Sequence, residues 1–93
     1  MNRVIDNADV ICEMKPGGEI IPMRFRIVND DGLYEDYTVR GYRRGKRGAY
    51  TSPDGLAVCN KDIVYECRVL VDDIYKTVRL YFDTDSLKWR VGI

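Results

Sequence analysis

Five positive side chains, Arg40, Arg43, Arg44, Lys46 and Arg47, fall within eight residues of a chain whose formal net charge is zero. Gly41, Gly45 and Gly48 punctuate the cluster, and Tyr42 and Tyr50 flank it. Guanidinium forks match phosphate oxygens, and tyrosine rings offer stacking surfaces to unpaired bases, so this composition suits single-stranded nucleic acid. Strand alternation places Thr38, Arg40, Tyr42 and Arg44 on one solvent face, beside Arg24 and Arg26 of the preceding strand. The candidate nucleic-acid-binding residues are therefore Arg24, Arg26, Arg40, Tyr42, Arg43, Arg44, Lys46 and Arg47. The same charges have a plainer reading, in which a basic strand end keeps a sheet edge soluble and acids such as Asp36 neutralise part of it.

Other chemistry finds little support. Nucleophilic and acid–base catalysis needs a group of suitable pKa held against a partner. The chain has no histidine and only two serines, Ser52 and Ser86, both in turn-like stretches. Paired acids at Asp30–Asp31, Asp72–Asp73 and Asp83/Asp85 read as turn formers with solvated charges, while Glu35 and Asp36 point to opposite faces of one strand. Asp83-x-Asp85 lacks the further ligands of a calcium loop. The glycines lack the strand-to-helix setting of a phosphate-binding loop. Cys12, Cys59 and Cys67 are odd in number and contain no CxxC pair, so they read as small hydrophobes rather than a disulfide frame or a zinc site. The expectation is a non-enzymatic protein with no cofactor, metal or small-molecule substrate.

Composition sets the class. Ninety-three residues make one domain, 1–93, and 45% hydrophobic with 32% charged residues suits a globule. Fifteen basic and fifteen acidic residues leave no global field to draw the chain to nucleic acid or a membrane, so any preference must be local. No apolar run approaches the roughly 18 residues of a membrane span. The amino end, Met1-Asn2-Arg3-Val4-Ile5-Asp6, lacks a signal peptide's apolar region, which points to the cytoplasm.

The elements that must position these residues are strands. Ile21, Met23, Phe25 and Ile27 alternate with polar or secondary positions, as do Val78, Leu80 and Phe82. A first strand over 9–14 turns at Lys15–Gly18 into a second over 19–28, with Met14 opposite Glu19, Cys12 opposite Ile21 and Val10 opposite Met23. After a loop at 29–33, a third strand runs from Tyr34 to about Arg43, with Phe25 facing Tyr37, Met23 facing Val39 and Arg26 facing Asp36. A second meander pairs Val71 with Ile74 across a two-residue Asp72–Asp73 turn, which sets Cys67 against Val78, Tyr65 against Leu80, Glu66 against Arg79 and Lys76 against Val69. The last hairpin returns Leu87, Trp89 and Val91 to Phe82, Leu80 and Val78. Between the meanders, residues 45–62 carry a turn at Ser52–Gly55 and a short strand at 56–59, and 45–55 is expected to be the most mobile stretch. The fold predicted is all-β, a small partly open SH3-like barrel or sandwich of about six antiparallel strands in two three-stranded meanders. No long helix is expected.

The reverse side of the second meander brings Leu70 beside Tyr75 and Val64 beside Tyr81. Left uncovered, Val64, Leu70, Tyr75 and Tyr81 would form a protein interface or a self-association face. The alternative is that the long excursion packs over them.

Gly18-Glu-Ile-Ile-Pro-Met-Arg-Phe25, the tyrosine- and valine-bearing strand after it, and the terminal Tyr-Phe-Asp…Lys-Trp-Arg resemble a group of short uncharacterised bacterial proteins. Those share a G-x-I-x-P-x-x-I/F hairpin and a tryptophan-bearing closing hairpin. The resemblance implies the same fold and brings no activity or site residue with it, and the Arg40–Gly48 cluster lies outside its pattern. Two functional readings follow, a protein-interaction or self-association module and a single-stranded nucleic-acid binder.

Overall fold

Eight strands form in the computed structural model, which describes residues 3–93: β1 (Val4–Met14), β2 (Ile20–Val28), β3 (Tyr34–Arg44), β4 (Tyr50–Thr51), β5 (Ala57–Val58), β6 (Asp62–Val71), β7 (Ile74–Asp83) and β8 (Lys88–Gly92). Met1 and Asn2, part of the amino end considered above, lie outside the described residues. The six long strands follow one another around a closed antiparallel barrel, β1-β2-β3-β6-β7-β8, while β4 and β5 make a separate two-stranded hairpin. The all-β expectation holds, and the barrel is closed rather than partly open. No helix forms among the described residues, so none is long and apolar enough to cross a membrane.

Every long strand has two neighbours, but β1 and β3 each pair with one neighbour along one part of their length and with the other along the rest. Residues Asp9–Met14 of β1 pair with β2, whereas Val4, Ile5 and Ala8 pair with β8. Likewise Tyr34–Thr38 of β3 pair with β2, and Val39–Arg44 pair with β6. Each strand bends where the pairing changes hands, and each bend coincides with an extra residue. In β1 the ladder shifts between Ile5 and Ala8, with Asn7 at φ 57°. In β3 it shifts between Val39 and Gly41, leaving Arg40 unpaired. Bulges of this kind sharpen local twist and let a sheet turn a corner.

The inward residues make one core of Phe25, Ile27, Tyr65, Cys67, Val69, Val78, Leu80, Phe82, Trp89, Val91 and Ala8. Trp89 packs on Phe82 at 4.6 Å and on Tyr65 at 5.9 Å between ring centroids. Pro22 is also buried, and this corrects the sequence reading. A third bulge leaves Met23 without a partner between Cys12↔Pro22 and Ile11↔Arg24, so Pro22 turns inward and Met23 turns out to solvent. The first hairpin pairs Met14 with Ile20, not Glu19, because the turn, closed by the Lys15 N–H donating to the Glu19 carbonyl, is one residue longer. The bulge then adds a second shift that pairs Val10 with Phe25, not Met23. The β2–β3 and β6–β7 registers are those expected, including Arg26↔Asp36, Glu66↔Arg79 and Val69↔Lys76. Asp72 and Asp73 take φ of 50° and 64°, the two positive values a type I′ turn requires.

The final hairpin is displaced by two residues. Phe82 meets Trp89 and Leu80 meets Val91, while Leu87 sits in the turn at φ 60° and is exposed. Asp83 explains the displaced turn: its Oδ1 accepts the backbone N–H groups of Asp85 and Ser86, so the four residues out of the ladder are 84–87 and not 83–86. With Lys61 on its other oxygen at 2.9 Å, the Asp83 carboxyl is held down at about 2, the Lys61 hydrogen bond being the largest cause.

The excursion between the meanders is a strap. The β4–β5 hairpin turns through Ser52–Gly55, where the Leu56 N–H donates to Ser52 Oγ, and lays Tyr50, Leu56 and Val58 over Val64 and Tyr81. Asp54 at its tip is the latch. Its side chain is 1% exposed, accepts the Tyr81 hydroxyl and lies 3.7 Å from an Arg79 guanidinium nitrogen. A Cβ on Gly92 would overlap that carboxylate, so β8 needs glycine where the strap docks.

Candidate nucleic-acid interface

Residues 40–47 do not act as one patch, because the β3 bulge reverses the strand's facing partway through it. Thr38, opposite Arg24, lies on the outer sheet surface. Past Arg40 the alternation inverts: Tyr42 pairs with Cys67 and Arg44 with Tyr65, both core residues, while Arg43 pairs with the outward Glu66. The expectation that Thr38, Arg40, Tyr42 and Arg44 share a solvent face is therefore corrected.

Tyr42 and Arg44 instead close one end of the barrel. The Tyr42 ring meets Tyr65 edge-on at 6.0 Å, and its hydroxyl donates to Glu19 at 3.1 Å. Burial, then that carboxylate, raises the Tyr42 phenol pKa. Arg44 lies over the Tyr65 ring at 5.5 Å, and the Tyr65 hydroxyl donates to the Ile20 carbonyl at 2.6 Å. Lys46 sits 5.4 Å from the Tyr50 ring at the strap, and Arg47 is exposed in the loop beyond.

What remains outward is a more compact site than the sequence suggested. Arg40 and Gly41 of β3, Arg68 of β6, and Tyr75 of β7 line one depression of about 320 Å³. A second, of about 400 Å³, continues from Gly41 and Arg68 to Arg43, Glu66 and Thr77. Because they share Gly41 and Arg68, the two form one groove crossing β3, β6 and β7. Arg24 and Leu70 flank it on the same surface, Leu70 being opposite Tyr75.

Partners distinguish the arginines on this side of the barrel. Arg24 pairs with Asp36 at 3.5 Å. Arg26 pairs with Asp9 at 2.7 Å and stacks on Tyr34 at 4.1 Å. Arg43 pairs with Glu66 at 2.7 Å, and Arg79 bridges Glu66 and Asp54. Arg40 has no ion pair among the described residues, and Arg68 meets only the Tyr75 ring, 4.6 Å from its guanidinium carbon. The groove thus brings together two arginines without carboxylate partners and an aromatic ring that is 56% exposed.

Of the four residues considered as a protein interface, two are withdrawn. Val64 and Tyr81 are buried beneath the strap, which corrects their reading as an open face. Leu70 and Tyr75 stay exposed. Arg68, Gly41 and Thr77 are members of the groove that the sequence reading passed over. The β6–β7 register already set Arg68 beside Thr77 on the side of Leu70 and Tyr75, so the signal lay in the pairing and not in any charge run. Comparison with protein-family models, with curated proteins and with solved structures finds no match for this chain.

Proposed function

We propose that this domain is a non-enzymatic binding module whose ligand is single-stranded nucleic acid, held on the outer surface of β3, β6 and β7. The observation that carries this reading is the convergence of Arg40, Arg68 and Arg43 on a groove floored by Gly41, with the exposed Tyr75 ring at its side. Guanidinium groups neutralise phosphates, and an exposed ring stacks on a base of any identity. Paired arginines keep the surface balanced in the free protein. A phosphate then competes with Asp36 or Glu66 for a guanidinium, which lowers affinity without abolishing it.

The test is a titration with an oligothymidylate of about twelve nucleotides, the scale of site that small barrels cover. Three to four phosphate contacts would give log K against log salt a slope of about −2 to −3 for a single strand. A slope near zero, or no binding at low salt, contradicts the reading.

One observation favours a second reading. Leu70, Ile74 and Tyr75 are exposed together at the β6–β7 turn, which the strap does not reach, and Leu70 and Ile74 are apolar. A self-association or protein-interaction site there would appear as a concentration-dependent dimer or complex lost on Ile74→Asp; light scattering distinguishes it from a monomer.

A further inference from the structure

Gly41 is a glycine with no internal reason to be one. Its φ lies outside the left-handed region, and a Cβ built on it would meet nothing within 4 Å. Elsewhere glycine falls where φ is positive, as at Gly32, or where a side chain would be crowded, as at Gly92, except at Gly17 in the first turn. Gly41 is the one glycine within a strand that is free of both demands. A strand glycine free of both demands fits a place where something outside the chain approaches the backbone closely.

Its neighbours say what that something is. Arg40, the extra residue of the bulge, and Arg68, directly across from Gly41, line the same depression. Two guanidinium groups repel, and neither has a carboxylate within ion-pair distance among the described residues, although Arg24, Arg26, Arg43 and Arg79 all do. An anion bound between them would relieve that repulsion. Bulges commonly re-aim one side chain at a functional site. Thr77, opposite Arg68, lines the adjoining depression and supplies a hydroxyl, and Arg68 already rests on Tyr75.

From this we infer that the β3 bulge is a phosphate subsite: Arg40 and Arg68 clasp one phosphate over the bare backbone of Gly41, and Tyr75 takes the neighbouring base. The subsite deepens the nucleic-acid reading and rests on it for the identity of the ligand. It makes contributions along the groove unequal, with the bulge dominant and the carboxylate-paired arginines secondary.

Three variants and two probes separate the possibilities. Arg40→Gln is expected to weaken oligothymidylate binding by about tenfold and to reduce the salt slope by about one. Arg47→Gln, the same loss of charge outside the groove, is expected to leave affinity within about twofold. Gly41→Val, whose Cβ meets nothing within 4 Å, should keep the melting temperature and lose binding by filling the floor. Equal losses from Arg40→Gln and Arg47→Gln, or unchanged binding by Gly41→Val, overturn the subsite while leaving the nucleic-acid reading standing. If the wild-type protein ignores the oligonucleotide but inorganic phosphate shifts the Gly41 amide resonance, the subsite stands and the nucleic-acid reading falls. If neither probe acts, both fall.

Discussion

Asp54 shows how much of this molecule turns on single side chains outside the apolar core. A carboxylate almost wholly removed from water must be compensated by hydrogen bonds and charge, and here Tyr81 and Arg79 provide both. Truncating it leaves the Tyr81 hydroxyl buried without its acceptor, so Asp54→Ala should cost about 1–3 kcal/mol in a denaturant melt. No loss of stability would mean that the strap is not latched there. Burial, with the Asp54 hydrogen bond second, pushes the Tyr81 phenol up to about 12. The folded pKa is the higher one, so this contribution is complete below the unfolded value near 10 and disappears as pH rises to about 12. Burial raises Tyr37 to about 12 as well, so ultraviolet titration should show two late-ionising tyrosines in the wild type, of which one moves towards 10 in Asp54→Ala. None of this was legible in the sequence, where Asp54 is one acid in a Pro-Asp-Gly turn and Gly92 one glycine near the carboxyl end.

At the scale of strands, the legible parts and the illegible parts have different physical causes. The β6–β7 pairing is legible in full because two aspartates in a tight turn admit one register, and every facing pair but Val69↔Lys76 then agrees in polarity. The β2–β3 pairing was legible for the same reason, since a slip would have set Phe25 against Asp36. The three bulges left no comparable mark. One extra residue shifts alternation without changing composition, so Met23 read as core, Tyr42 and Arg44 read as surface, and the basic run read as one patch. Leu87 misled in the same way, its apolar side chain masking a left-handed turn position that Asp83 organises. The bulge in β2 has a direct mutational consequence. Phe25→Asp should cost about 4 kcal/mol or more, whereas Met23→Asp should fall within about 0.5 kcal/mol of wild type. Equal damage from the two, measured by thermal melting, would restore strict alternation and remove the bulge.

For the whole molecule, electrical neutrality conceals a division of labour. Arg3, Arg24, Arg26, Arg43 and Arg79 pair with carboxylates. Of the arginines without one among the described residues, Arg44 and Arg90 lie over Tyr65 and Tyr81 and Arg47 is in the loop, while Arg40 and Arg68 line the groove. Exposed ion pairs in general contribute little to stability, about 0–1 kcal/mol each. A competing phosphate therefore displaces the exposed pairs Arg24–Asp36 and Arg26–Asp9 at small cost, unlike the buried Arg79–Asp54 pair. Closure of the barrel by β1 and β8 joins the long strands into one ring, and the strap covers Val64 and Tyr81, so the groove and the β6–β7 turn remain as surfaces open to a partner. Amide chemical-shift mapping with a short oligothymidylate tests this assignment most directly. Perturbations centred on Arg40, Gly41, Tyr42, Arg43, Arg68, Tyr75 and Thr77 are the expected result. Shifts concentrated on the barrel end at Ile20 and Tyr65, or on the strap, with the groove silent, would contradict it.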